Sequence, residues 1–238
     1  MDQDTHELSP KTALFIGAHA DDMDFFAGGT AAQWAKAGCE VYYLVLTDGS
    51  KGSNDPHTNV DELIKTRQQE QREAAKILGV KKVFFMTYPD GELENNTRLK
   101  HDIVAFIRHL KPDTVVSLDP TVIYVAELGL INHPDHRAAG QAVLDAVYPL
   151  ARDHLAFPDQ LKKGLQPHNV STVLLVNITQ HNFGVDITDM FDTKLQALRA
   201  HTSQNLDTSV ATKFATQGGE ICGCTYAEIF VRIDIGRF

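Results

Sequence analysis

Ala13-Leu14-Phe15-Ile16-Gly17-Ala18-His19-Ala20-Asp21-Asp22-Met23-Asp24-Phe25-Phe26-Ala27-Gly28-Gly29-Thr30 is the stretch around which the rest of the chain is organised. Its first four residues are an apolar run with the length and composition of a buried strand. Gly17-Ala18 ends that strand, His19, Asp21 and Asp22 follow at once, and the small residues 27–30 lead into an alanine-rich helix. Three side chains able to hold a metal or move a proton therefore sit at the carboxyl end of a first strand, where ligands bind in an open α/β sheet. An imidazole and a carboxylate three residues apart on a tight loop can both reach one divalent ion, and a mixed nitrogen and oxygen donor set suits zinc. The competing assignment for Asp21 and Asp22 is helix capping, since carboxylates are favoured beside the unpaired amides of a first turn.

A second cluster, Asn132-His133-Pro134-Asp135-His136, precedes a helix-like run. His133 and His136 are three apart at a helix start, with Pro134 where the first turn tolerates it. A catalytic zinc typically has three protein ligands and an open position. His19, Asp22 and one histidine of this pair complete such a set, and the other histidine is left for acid catalysis.

The two runs together resemble the PIG-L/LmbE-like family of zinc-dependent de-N-acetylases, which carries AHPDD after its first strand and HPDH further on. The resemblance implies His19, Asp22 and His136 as zinc ligands, Asp21 as general base, and His133 as the protonated partner of the reacting carbonyl or leaving amine. Thr47-Asp48-Gly49, Thr66-Arg67-Gln68-Gln69-Glu70, Tyr88-Pro89-Asp90-Gly91 and His201-Thr202-Ser203-Gln204 extend it through most of the chain. By these matches Arg67 and Asp90 are substrate contacts, and His201 contacts substrate or lies just behind the ligands. Without the resemblance, Arg67 reads as a surface arginine paired with a glutamate. Asp90 likewise reads as a turn residue, and His201 as a helix-end histidine. Ala20 replaces the family's proline, Met23-Asp24 its usual glutamate, and Ile131 stands where some members have tyrosine.

What the resemblance implies is metal-assisted amide hydrolysis of an N-acetylglucosamine-type sugar or conjugate. Zinc lowers the pKa of its water, Asp21 accepts the proton, and zinc with His133 steadies the oxyanion. The cofactor expected is Zn2+, with Fe2+ as the cellular alternative, and the assembly a homo-oligomer, trimer or hexamer. One rival reading is a zinc amidase cleaving a sugar-thiol conjugate. Another is a non-catalytic sugar- or nucleotide-binding protein that uses Gly28-Gly29 as an anion site at a helix start.

Composition narrows the field. A chain of 238 residues fits a single domain spanning 1–238. A formal charge of −9 argues against nucleic acid as a partner. No apolar run is long enough for a membrane span, and residues 1–11 form a polar extension without the marks of a signal peptide, so a cytoplasmic location is expected. Cys39, Cys222 and Cys224 are odd in number and make no disulfide framework. Strands are predicted at 13–16, 40–46, 83–86, 114–118, 170–176 and 225–235, with helices at 61–78, 99–110 and 190–199. Segments 49–60 and 119–131 read as long loops and 156–169 as a connection. His101 and His109 read as ordinary packing or surface histidines. This alternation predicts an α/β fold: a single-domain, Rossmann-like three-layer sandwich with a mostly parallel sheet.

Overall fold

β1 (Thr12–Gly17) is buried from Ala13 onward because it lies at the middle of a sheet covered on both faces. It pairs in parallel with β2 (Glu40–Thr47) on one side and β4 (Thr114–Leu118) on the other, so that Phe15 faces Tyr43 in one register and Val116 in the other. The computed structural model describes residues 8–236; the start of the expected polar extension, residues 1–7, lies outside them. With β3 (Lys82–Tyr88), β7 (Thr172–Val176), β8 (Phe183–Asp186) and β9 (Ala227–Asp234), the sheet has seven strands in the order β3-β2-β1-β4-β7-β9-β8. Only β9 runs against its neighbours. The mostly parallel α/β architecture expected from the sequence is thus the one observed.

α1 (Asp22–Lys36), α2 (Val60–Ile77), α6 (Phe191–Arg199) and α7 (Thr208–Cys222) pack together in one helical layer, and α3 (Thr97–Leu110) and α4 (Pro134–Asp145) in the other. Asparagines start two of these helices: the side chain of Asn59 accepts the Glu62 amide at α2, and that of Asn96 the Leu99 amide at α3. The chain winds from β1 outward through β2 to β3, then returns to β4 on the opposite side of β1. Strand order therefore reverses between β1 and β4, and the loops after these strands diverge to open a crevice. No helix among the described residues is long and apolar enough to cross a membrane.

Four segments differ from the sequence reading, the first being β8, a short edge strand paired with β9 where no strand is predicted. The loop at 119–131 contains a two-stranded hairpin of β5 (Tyr124–Val125) and β6 (Leu130–Ile131), and the connection at 156–169 contains a short helix, α5 (Pro158–Lys162). α7 falls outside the predicted helices: its threonines and glycines are weak helix formers and mask the Asp207 cap and the helical spacing of Ala211, Ala215, Gly218 and Gly219. Packing explains the glycines: a Cβ on Gly218 or Gly219 would come within 2.4 Å of the Ala227 or Thr225 carbonyl, so they let the helix lie directly on the chain entering β9.

Candidate metal centre and active site

The loop after β1 turns sharply at Asp21, whose φ of 99° is a conformation that favours glycine. Its amide donates to Gln71 Oε1 at 2.8 Å, which holds the turn in place. Its carboxylate makes no capping hydrogen bond to α1, so the capping role does not apply to it. Asp22 is buried and turns back into the loop: Oδ2 accepts the His19 amide at 2.8 Å, and Oδ1 lies 3.1 Å from His136 Nε2. His136 arrives from α4, which follows β4 across the crevice. Potential ligand atoms of His19, Asp22 and His136 all lie within 4.8 Å of one another, and those of His19, Asp90 and His133 form a second such group.

Asp135, for which the sequence suggested no role, ties these pieces together. Fully buried, it accepts the Gly91 amide at 2.7 Å and the Leu93 amide at 3.1 Å, and its Oδ2 stands 3.2 Å from His19 Nε2. Asp90 Oδ1 is 3.3 Å from the same nitrogen. With Nε2 so engaged, His19 presents Nδ1 to Asp22 Oδ2 at 3.7 Å. The signal in the sequence was its place inside Asn-His-Pro-Asp-His.

Around this cluster the sequence-nominated residues divide. Asp90 has its turn and also faces the cluster, with Oδ2 accepting the Lys51 amide at 3.0 Å. Arg67 is not a surface residue: it is 8% exposed and donates through Nη2 to the Gly52 carbonyl at 2.7 Å, while its buried Nε has no partner. Its charge acts on Asp21. His201 is 1% exposed, and its Nε2 lies 2.7 Å from Asp24 Oδ2, which also accepts Gln71 Nε2 at 2.6 Å. It lies buried behind the loop against Asp24, a buried carboxylate that needs donors. The following residues brace the same loop: Ser203 and Thr202 donate to Glu70, and Gln204 Nε2 donates to the Ala20 carbonyl at 2.9 Å.

The anion-site reading of Gly28-Gly29 meets an occupant. α1 breaks at Ala27 (φ −141°), which frees the amides that follow. Glu228 fills the position, accepting the Gly29 amide at 2.9 Å and the Thr30 amide at 2.7 Å, and Lys194 Nζ stands 2.6 Å from it. A cavity of about 650 Å³ lined by Trp34, Cys39, Phe183, Asp186, Cys222 and Cys224 shares no residue with the histidine cluster. All three cysteines are free, and burial pushes their thiols up, that of Cys39 to about 11, which favours the thiol over the thiolate.

The electrostatics of the cluster test whether a cation belongs there. Burial opposes charge on His19, yet its contacts with Asp135, Asp22 and Asp90 raise its pKa to about 12. Burial, then the charges of Asp22 and Asp24, push the Asp21 carboxyl well above the ordinary range, against the pull of His19 and Arg67. Asp22 is held well below that range by His136 and His19 in spite of burial. Several carboxylates thus converge on His19 and His136, and the side chains that surround the imidazoles are predominantly acidic. The donor set of two imidazoles and a carboxylate fits a divalent ion, with a nitrogen and oxygen composition suited to zinc or ferrous iron.

Fold and cluster together define an α/β protein with a histidine- and aspartate-lined centre at the switch point of its sheet. The chain matches the PIG-L family model, described as GlcNAc-PI de-N-acetylase, over residues 14–147. It is 37% identical over 194 residues to the diacetylchitobiose deacetylase of Thermococcus kodakarensis, covering 82% of this chain and 70% of that protein. It is 28% identical over 202 residues to a probable N-acetyl-alpha-D-glucosaminyl L-malate deacetylase 2 of Bacillus anthracis, covering 80% of each. The N,N'-diacetylchitobiose deacetylase of Pyrococcus horikoshii, solved with an inhibitor, superposes with a TM-score of 0.89 at 32% identity, covering 98% of this chain and 88% of that one. The chain belongs to the PIG-L family of de-N-acetylases. It is an N-deacetylase, a hydrolase acting on the carbon–nitrogen bond of an amide.

Proposed function

We propose that the protein is a divalent-metal enzyme that removes the acetyl group from the amine of an N-acetylglucosamine-type sugar, with His19, Asp22 and His136 as the metal ligands. The observation that carries this reading is the convergence of those three side chains from the β1 and β4 loops, with Asp21 held beside them in a strained turn. An ion bound there supplies a Lewis acid for the amide carbonyl and lowers the pKa of a water toward neutrality. Zinc is the ion proposed, with ferrous iron as the cellular alternative.

The chain's own groups account for the proton movements. Asp21 makes no capping bond, so its carboxylate is available to take the proton of the attacking water. His133 Nδ1 accepts the Asp135 amide at 3.2 Å, which leaves the proton of a neutral ring on Nε2. Burial and the nearby His19 charge lower its pKa. The donor offered to the carbonyl oxygen or the leaving amine is the Nε2–H of this ring. Arg67, buried under the loop of Gly49 and Gly52, and Asp90 form the wall on which sugar hydroxyls are placed.

Substrate class follows the relatives: a chitobiose-type or glycosidically linked N-acetylglucosamine is preferred, and the assembly proposed is a homo-oligomer. The test is acetate release from diacetylchitobiose, N-acetylglucosamine and a panel of its glycosides, with metal-loaded, chelated and Asp21→Ala protein. Release that needs metal and disappears in Asp21→Ala supports the reading. A tightly bound metal with no release from any acetylated sugar redirects it to an amidase of sugar-thiol conjugates, and absence of metal binding ends it.

A further inference from the structure

Asn132 stands where the β5–β6 hairpin meets the start of α4, and each of its polar groups is used. Its Nδ2 donates to the Val122 carbonyl at 2.8 Å and its amide to the Ile123 carbonyl at 2.9 Å. Its own carbonyl accepts from Arg137 Nη1. A carbonyl oxygen can only accept, so the contact with Val122 fixes which end of the side-chain amide is nitrogen. The remaining end, Oδ1, then lies 3.2 Å from His136 Nδ1. An amide oxygen in that place requires the imidazole proton on Nδ1 and leaves the Nε2 lone pair free. Nε2 is the nitrogen that faces Asp22 Oδ1 at 3.1 Å.

The hairpin held by Asn132, with the residue that leads into it, carries exposed apolar side chains: Ile123 58%, Tyr124 66% and Ile131 82% exposed. One side chain therefore joins this flap to the ring proposed to bind the ion.

We infer that Asn132 is a positioning residue: it sets the tautomer and ring orientation of His136 and straps the flap to it, so that flap placement and metal grip are coupled. Groups that fix the far nitrogen of a metal-binding histidine change metal affinity about 10–100-fold when removed. The inference rests on His136 being a ligand, as proposed above. A neutral amide achieves the orientation without adding to the acidic side chains already gathered at the site, as a carboxylate there would.

The test uses Co2+ as the probe, read by its visible absorption and by competition with a chelator, together with hydrogen exchange of amides 122–131. Asn132→Ala is expected to weaken Co2+ binding about 10-fold or more, to alter the cobalt spectrum, and to speed exchange in the flap. Asn132→Asp keeps an acceptor for His136 and loses the donor to Val122. Its flap is expected to exchange faster and, because flap and metal grip are coupled, its Co2+ affinity to fall, by less than in Asn132→Ala, which loses the acceptor as well; faster flap exchange with wild-type affinity overturns the coupling. Wild-type affinity and spectrum in a folded Asn132→Ala protein overturn the inference. If that variant does not fold, Asn132→Asp decides, and unchanged flap exchange in it overturns the coupling. His136→Ala separates the two layers: Co2+ binding equal to wild type there removes the ligand assignment and the strap with it.

Discussion

Nε2 of His19 and Oδ2 of Asp135 stand 3.2 Å apart although 116 residues of chain separate them. The same carboxylate collects the Gly91 and Leu93 amides, so one buried residue fixes the loops after β1 and β3 against the start of α4. Asp135→Asn keeps the shape but removes the charge that orients His19. Metal affinity is expected to fall about 10–100-fold, measured as Zn2+ retained against a chelator. Undiminished retention would show that Asp135 serves the loops alone.

Asp21 couples strain to chemistry. A non-glycine residue at φ 99° costs on the order of 1–3 kcal/mol. Asp21→Gly is therefore expected to be more stable than Asp21→Ala by about 1 kcal/mol, the relief being partly offset by the unfolded-state freedom of glycine. Both are expected to lose about 10²–10⁴ in kcat while retaining metal, as for removal of a general base. Urea melts and single-turnover acetate release check the two halves. A glycine variant no more stable than the alanine one contradicts the strain argument.

The Lys194–Glu228 pair is buried at the break in α1, 3% and 4% exposed. Lys194→Met strands a carboxylate in the core with only the Gly29 and Thr30 amides to hold it. The expected loss is about 3–5 kcal/mol, read from urea unfolding. Lys194→Met/Glu228→Gln, which removes both charges, is expected to recover part of that loss, and a fully additive double variant would argue against a coupled pair.

His101 gives a pH signature remote from the metal centre. Burial works against its charge, but Asp102 Oδ1 and Asp159 Oδ2, each 3.0 Å away, raise its pKa above the usual 6.5. A group whose pKa is raised by folding adds stability that is fully present below its unfolded value and lost as pH rises through its folded one. The Tm of wild type is accordingly expected to exceed that of His101→Asn at pH 5.5, with the gap narrowing as pH climbs past the folded pKa. A gap that widens with pH would refute the sign.

Sequence alone determined the buried strand at 13–16, the parallel succession of strands and helices through residue 118, and the two runs that supply His19, Asp21, Asp22, His133 and His136. These are local signals: an apolar run, a helical period or a short motif is complete within a few residues. It did not reveal the edge strand β8, or α7, whose threonines and glycines weaken the helical signal and whose glycines are explained by close packing on the chain entering β9. Nor did it reveal the burial of Arg67 and His201, the bridging carboxylate of Asp135, or Glu228 filling the anion site suggested by Gly28-Gly29. Each of those depends on a partner far away in the chain. Only the strand order, which reverses between β1 and β4, sets α4 against the first loop and so decides which imidazole meets Asp22, which carboxylate loses its water, and which buried charge must find a mate.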